Sequence, residues 1–366
     1  MSKKIRYAVV GLGNLSQVAI LPAFAHAKEN SELVAFFTDD LVKEKALTRK
    51  YGVENSYRYQ DFEKGLKESN VEAVYIVLPN SLHREYTLRA ADAGVHILCE
   101  KPMAVTAEDC REMIAAAARN RVKLMVAYRL HFERSNLEAI ALLASGELGE
   151  PRIFNSTFSM QVSPGDVRTR HQLGGGTLYD LGPYPINAAR YLFRAEPVEV
   201  SAFSSSGKDL RSQEVDEMTS ALLRFPGGRL ASFVTSFGAA DEDFCEVLGT
   251  KGRLRIFNGY GYTHEVIHEI TVGDKTRRVK YRRRDQFAPE LIAFSDNILH
   301  DTEPEPSGHE GLLDVEIIRA LYQSAQDRRP IPLQLAPKRR RPDLSQKIDR
   351  PPVRKQEPVH APSPSK

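Results

Sequence analysis

Four short clusters carry side chains whose types and spacing could do chemistry. The first is Val10-Gly11-Leu12-Gly13-Asn14-Leu15-Ser16, a glycine turn between an apolar run and a helical stretch. Gly11 permits the tight turn, and Gly13 lets backbone amides approach a pyrophosphate at a helix N-terminus. Ser16 replaces the third glycine of a dinucleotide fingerprint, at a position that serves helix–strand packing. A glycine turn without a ligand is the plain alternative. The second cluster, Phe37-Thr38-Asp39-Asp40-Leu41-Val42-Lys43, closes the next apolar run. A carboxylate there would hold ribose hydroxyls and repel the extra phosphate of NADP, whereas Lys43 could pair with that phosphate. Both acids could equally be turn residues, and Lys43 a solvated helix residue.

The third cluster is Cys99-Glu100-Lys101-Pro102, at the end of an apolar run. A lysine at the carboxyl edge of a parallel sheet can bind a substrate hydroxyl and move its proton. A surface ion pair with Glu100 is the alternative. The fourth runs from Gly174-Gly175-Gly176 through Asp180, Tyr184 and Asn187. A helix over 177–193 would put those three at i, i+4 and i+7, on one polar face able to exchange a proton. Pro183 and Pro185 make such a helix irregular, and ordinary capping is the alternative.

These clusters need elements to position them. Residues 7–10, 33–37, 71–78, 95–99 and 123–127 are short continuous apolar runs, as strands covered on both faces require. Helical stretches over 81–93 and 107–120 alternate with them. Gly94 is placed to end the first, and Thr106 with Asp109 to cap the second. This order predicts a doubly wound parallel sheet. After Gly149-Glu150-Pro151 the pattern changes. Runs at 154–160, 218–225, 230–237, 244–248, 254–257 and 265–272 read as antiparallel strands, with helices at 177–193, 289–299 and 312–326. The expectation is an α/β chain: a Rossmann domain over 1–128, an α+β domain on an open, mostly antiparallel sheet over 129–333, and a tail over 334–366.

Length agrees with two domains, because a single core rarely grows beyond roughly 250–300 residues. The tail holds nine Lys/Arg, three Asp/Glu, seven prolines and no aromatic residue, while the whole chain is only +3. The body is therefore mildly acidic. A segment of that composition cannot bury enough apolar surface to fold alone, so it is expected to be disordered and dispensable. The runs Arg282-Arg283-Arg284 and Lys338-Arg339-Arg340-Arg341 could suggest a nucleic-acid binder, but no stacking aromatics accompany the tail, and a solvated sheet edge explains the first. Three scattered cysteines without a CxxC pair indicate neither disulfide framework nor zinc site. No membrane-length apolar run and no signal-peptide pattern occur, so a cytoplasmic protein is expected.

The four clusters in this order resemble the glucose–fructose oxidoreductase / inositol dehydrogenase (Gfo/Idh/MocA) family over roughly residues 5–330. The segments Tyr75-Ile76-Val77-Leu78-Pro79-Asn80-Ser81-Leu82-His83, Cys99-Glu100-Lys101-Pro102-Met103 and Ala127-Tyr128-Arg129-Leu130-His131-Phe132 are most similar to its glucose–fructose branch. The resemblance implies an NAD(P)-dependent oxidoreductase that transfers hydride to or from a carbinol carbon of a sugar. Lys101 and Asp180 match the family's lysine and helix aspartate. Tyr184 stands where many members have histidine, as it does in the glucose–fructose branch, so Tyr184 or Lys101 is expected to take the hydroxyl proton. Gly11, Leu12, Gly13, Asn14, Leu15, Leu78, Pro79, Asn80, His83, Glu100, Lys101 and Arg129 would line the cofactor. Thr38 at the ribose position, with Lys43 beyond it, implies NADP, with NAD as the alternative. Arg168, Arg170, Tyr260 and Tyr262 would join Lys101, Asp180 and Tyr184 around the substrate.

The resemblance also admits a ketosugar reductase or dihydrodiol dehydrogenase, or, in another class, a non-catalytic NAD(P)-sensing regulator. Lys101 and Asp180 argue against the regulator. The partners expected are a small sugar, no nucleic acid, no membrane, no metal, and a second copy of the chain in a homodimer or homotetramer through the open sheet. Nothing in the tail's composition favours its folding back over the nucleotide, so an exchangeable cofactor is expected.

Overall fold

Six parallel strands, in the order β3-β2-β1-β4-β5-β6, build the first sheet. They are β1 (Ile5–Val10), β2 (Ser31–Phe37), β3 (Asn55–Tyr57), β4 (Ala73–Ile76), β5 (His96–Glu100) and β6 (Leu124–Ala127). β4 and β6 are buried at every residue, as the continuous apolar runs require. The order reverses between β1 and β4, and ligands of an open α/β sheet bind at that switch point, beyond the carboxyl ends of the strands. The computed structural model describes residues 3–207, 214–338 and 340–365; Met1, Ser2 and Arg339 of the basic run lie outside them.

The chain divides into two compact units that interleave in sequence rather than following one another. The first unit takes residues 1–129, 285–312 and 350–364. Its returning helix Ala288–Leu299 closes one end of the sheet. Ser295 Oγ lies 2.9 Å from the buried Tyr7 hydroxyl and 2.8 Å from Ser31 Oγ, and Asn30 Nδ2 donates to Ile292 O at 2.9 Å. That segment had been expected in the second domain. Its apolar periodicity reads the same whichever sheet it covers.

The second unit is built on nine strands in the order β14-β13-β12-β11-β7-β10-β9-β8-β15. These are β7 (Pro151–Ser159), β8 (Glu199–Ser205), β9 (Met218–Phe225), β10 (Arg229–Ser236), β11 (Glu242–Gly249), β12 (Gly252–Phe257), β13 (Val266–Val272), β14 (Lys275–Tyr281) and β15 (Ile331–Pro332). Every neighbouring pair is antiparallel except β7 with β10. Burial alternates strictly along β9, so one face is covered and the other open. The open face exposes Ile153, Leu222, Leu230 and Phe203, the last at 77% of its surface. The basic strand β14 is an edge strand, where Arg277 pairs with Glu147 and Arg278 with Glu269.

Two expectations are overturned here. The helix over 177–193 is two helices, Thr177–Asp180 and Pro183–Phe193. Neither Pro183 nor Pro185 has an N–H to continue the first ladder. The described residues of the tail are not disordered. Arg341 donates to Arg190 O at 3.1 Å and to Glu196 at 2.7 Å, and Asp343 caps the turn Leu344–Gln346. Residues 350–364 then lie on the first unit. The tail builds no core of its own; Arg341, Arg350, Val359 and Ala361 bond to groups of the folded units. Among the described residues, no helix is long and apolar enough to cross a membrane.

Candidate functional site

In the first unit the chain leaves β1 through Gly11 at φ +98°, a left-handed conformation that side chains disfavour. A Cβ there would also sit 2.4 Å from Val77 O. Gly13 is different: it is exposed, and a Cβ would meet nothing within 4 Å. No atom of the first unit demands glycine at that position, so its bare backbone leaves room for a ligand to approach. Ser16 is fully buried and donates to Gly11 O at 2.6 Å, bracing the loop from beneath. Gln17 Nε2 donates to Leu12 O at 3.0 Å for the same end. Residues 14–26 continue as irregular helix, so the loop amides stand at a helix N-terminus. The loop fits a dinucleotide pyrophosphate.

At the end of β2, Asp40 caps the helix Leu41–Tyr51, accepting from Val42 N at 2.9 Å and Lys43 N at 3.1 Å. The Lys43 N–H bond foremost holds the Asp40 carboxyl below its ordinary pKa. Asp39 accepts from Tyr59 N at 3.2 Å. Both acids are therefore engaged as turn and cap residues, and Thr38 occupies the strand-end position, with Lys43 Nζ 3.6 Å from Asp40. Thr38 itself is buried, its hydroxyl accepting from Asp40 N at 3.2 Å, while Lys43 is partly exposed.

Beyond β4 come Leu78, Pro79 and Asn80, all partly exposed. His83 was expected along the cofactor, but it is fully buried. Its ring nitrogens face Pro102 O and Leu78 O, each at 2.9 Å, and burial lowers its pKa. It ties the loop after β4 to the loop after β5 and so acts from behind the site.

Lys101, half-buried, follows β5, and its backbone N–H donates to Glu100 Oε2 at 3.2 Å. Glu100 itself belongs to a cluster invisible in the sequence. The Tyr75 hydroxyl donates to Glu100 Oε1 at 2.9 Å and lies 3.2 Å from Glu290 Oε2. Burial raises the pKa of both carboxyls; Lys101 opposes this at Glu100, while Glu100 adds to it at Glu290. One hydroxyl donates one proton, so a protonated Glu290 completes the chain Glu290–Tyr75–Glu100. Arg129 is buried beside Gln286, to which it donates, with its guanidinium 5.9 Å from the Phe287 ring centroid.

The second unit assembles its own group. Arg168 Nε donates to Asp180 Oδ2 at 2.8 Å, and its NH1 to Asp166 Oδ1 at 3.0 Å. Burial alone would lower the Arg168 pKa, but Asp180 and Asp166 outweigh it and keep the guanidinium charged. The glycine run before Thr177 is a packing requirement. Gly176 sits at φ +128°, and a Cβ would meet Tyr322 Oη at 2.4 Å. Tyr184 is partly exposed, with Phe158 edge-on at 5.2 Å and Tyr260 at 5.8 Å. Tyr260 is buried, its hydroxyl 2.8 Å from Ser156 Oγ. Tyr262 is partly exposed, and Arg170, exposed, pairs with Glu214 at 3.5 Å. Asn187 departs from the expected shared face. It is buried, donates to Asp314 Oδ2 at 3.2 Å and meets His131 Nε2 at 2.7 Å. Asp314 in turn takes Arg190 NH1 at 2.5 Å.

Residues 5–128 match the oxidoreductase family with an NAD-binding Rossmann fold, GFO_IDH_MocA, and residues 136–255 match the GFO/IDH/MocA C-terminal domain. The chain belongs to the Gfo/Idh/MocA oxidoreductase family. A D-xylose 1-dehydrogenase, NADP(+), of Haloarcula marismortui is 30% identical, over 88% of this chain and 91% of its own. The crystal structure of the aldose-aldose oxidoreductase from Caulobacter crescentus, complexed with glycerol, is 36% identical with a TM-score of 0.86, covering 90% of this chain and all of that one. A 3-ketoreductase from Actinomadura kijaniata, in complex with NADP and TDP-benzene, is 28% identical with a TM-score of 0.79, over 88% and 98% of the two chains.

Proposed function

We propose that this Gfo/Idh/MocA protein transfers hydride between NADP and a carbinol carbon of a sugar. The observation that carries the reading is Lys101, placed after β5 at the carboxyl edge of a parallel sheet whose β1 ends in the Gly11–Gly13 loop. Gly11, Leu12, Gly13, Asn14 and Leu15 would hold the pyrophosphate, and Thr38 and Lys43 the phosphate-bearing ribose. Leu78, Pro79, Asn80, Glu100, Lys101 and Arg129 would continue the cofactor wall. The relatives' aldose and ketosugar substrates support a sugar, and their NADP supports the cofactor.

When bound, the nicotinamide supplies or accepts the hydride. The proton of that hydroxyl would be taken by Lys101 as a neutral amine, or by Tyr184 as a phenolate, and returned by the ammonium or phenol so formed. A positioned proton transfer contributes about 10²–10⁴-fold. Phe158 packs edge-on and Tyr260 at a tilt against the Tyr184 ring, and the charged Arg168 anchors Asp180 as a hydrogen-bond acceptor for a neighbouring hydroxyl. Arg170 and Tyr262 stand in as further substrate contacts. The same groups serve oxidation and reduction.

The assay is a panel of aldoses with NADP, followed by the absorbance of reduced nicotinamide. Turnover with at least one pentose or hexose is expected; saturable NADP binding without turnover on any aldose or ketosugar would sink the enzymatic reading in favour of a sensor. The exposed Ile153, Phe203, Leu222 and Leu230 support a homodimer or homotetramer through the open sheet face, and a monomer mass in light scattering would overturn that. A cytoplasmic location is supported by three cysteines that are buried free thiols. Secretion of the intact chain in a cell fractionation would contradict it.

A further inference from the structure

The C-terminal segment does more than rest on the first unit. Arg350 anchors its start, donating to His26 O at 3.0 Å and pairing with Glu29, while its own carbonyl accepts from Asp285 N at 3.2 Å. Midway, Lys50 Nζ donates to Gln356 Oε1 at 2.8 Å. The segment then reaches side chains at the glycine loop and just beyond β2, the two places assigned above to the cofactor. Gln17 Nε2 donates to Val359 O at 2.9 Å, and Val359 N–H returns a bond to Gln17 Oε1 at 2.7 Å. Asn14 Nδ2 donates to Ala361 O at 3.0 Å. Between them His360 takes a left-handed φ of +50° and puts Nδ1 3.2 Å from Asp40 Oδ2.

This contact is built rather than casual. Gln17 is buried at 2% exposure and its amide is used on both sides by the strap. Ala361 is buried as well. A left-handed histidine costs energy, which the neighbouring Val359 and Ala361 bonds must offset. Its effect is to aim an imidazole at the N-terminus of the helix Leu41–Tyr51, on the same carboxylate that Lys43 approaches.

We propose that Val359–Ala361 is the outer wall of the adenosine half of the dinucleotide site, and that His360 joins Lys43 in receiving the 2′-phosphate of NADP. The strap then slows cofactor release. The inference rests on the NADP assignment made above. His360 donates an N–H to a phosphate oxygen, while the Asn14 and Gln17 bonds hold the strap across the loop that carries the pyrophosphate.

The test uses binding alone. Full-length protein freed of nucleotide is titrated with NADPH and with NADH, and NADPH dissociation is timed by displacement with excess NADP. No saturable NADPH binding by the full-length protein overturns the NADP assignment and the proposal with it. With binding established, a chain ending at Arg350 is expected to release NADPH about tenfold faster or more, the equivalent of about 1.4 kcal/mol. Release at the full-length rate overturns the strap while leaving the NADP assignment standing. His360→Ala in the full chain keeps the other strap bonds and guards against misfolding of the shortened chain. It is expected to weaken NADPH severalfold and leave NADH unchanged. Equal weakening of both, or of neither, overturns the phosphate role of His360.

Discussion

Acidification is expected to destabilise the second unit through His268 on β13. Its ring is 1% exposed, its Nε2 has no hydrogen-bond partner among the described residues, and it packs 4.7 Å from the Tyr281 ring. Burial pulls its pKa from 6.5 to about 4, and the opposing attraction of Glu138 is too weak to restore it. Glu138 already takes Tyr281 Oη and Arg134 Nε, each at 2.7 Å. The unfolded chain therefore binds a proton at His268 that the folded protein refuses between those two values. Stability from the neutral ring is complete above pH 6.5 and is lost as pH falls toward 4, at about 1.4 kcal/mol per unit, or about 3 kcal/mol across the gap. His268→Leu removes the proton site at similar volume. The assay is urea unfolding of both proteins by circular dichroism, since the chain has no tryptophan. From about pH 7.5 to about pH 4.5, the wild type is expected to lose roughly 2.5 kcal/mol more than the variant. The raised carboxyls Glu100 and Glu290 act in the opposite direction, gaining stability as pH falls, but both proteins carry them and their contribution cancels. Parallel pH curves for the two proteins would refute a buried neutral His268.

Two further predictions concern the proposed chemistry. Lys101→Met is expected to retain NADP binding and to lose turnover by about 10²–10⁴-fold, because the side chain leaves the sheet edge half-exposed and exchanges the hydroxyl proton; near-wild-type kcat would remove Lys101 from the mechanism. Thr38→Asp is expected to shift the NADP-to-NAD ratio of kcat/KM toward NAD by at least about tenfold, or about 1.4 kcal/mol, through repulsion of the 2′-phosphate; an unchanged ratio, or a wild type already faster with NAD, would contradict the assignment.

Much of the first unit is legible because parallel strands buried on both faces must be continuous apolar runs, and the proposed cofactor residues follow where those runs end. Gly11, Thr38, Leu78 and Lys101 all follow such strand ends. The edge strand β3 escapes notice because its three residues are only half-buried. In the second unit β8 and β14 are mostly polar, having an open face or an edge to spare. Burial itself is the illegible quantity within the motifs. His83 and Asn187 sit in recognisable segments, yet both point into the protein, where they tie carbonyls and charges rather than meet solvent. The Arg168–Asp180 pair is hidden for another reason: residues 160–176 carry no periodicity that would bring position 168 back to position 180.

The tail shows where a compositional rule stops applying. Low apolar content and seven prolines say that residues 334–366 cannot bury enough surface to fold by themselves. A strap does not need to. Proline shortens the list of conformations an unfolded segment can lose, so ordering it costs less than ordering an ordinary loop. Its backbone needs partners, and the folded unit provides them as side-chain amides. The signal lay in the unit rather than in the tail. Asn14 and Gln17 are two amides in the first turn after the glycine loop, and together they donate to Ala361 O, Leu12 O and Val359 O. Gln17 buries an amide whose oxygen is matched only by Val359 N–H in the bonds described above. A buried amide that its own helix does not satisfy calls for another segment of chain, and that requirement, more than the composition of the tail, accounts for where the tail goes.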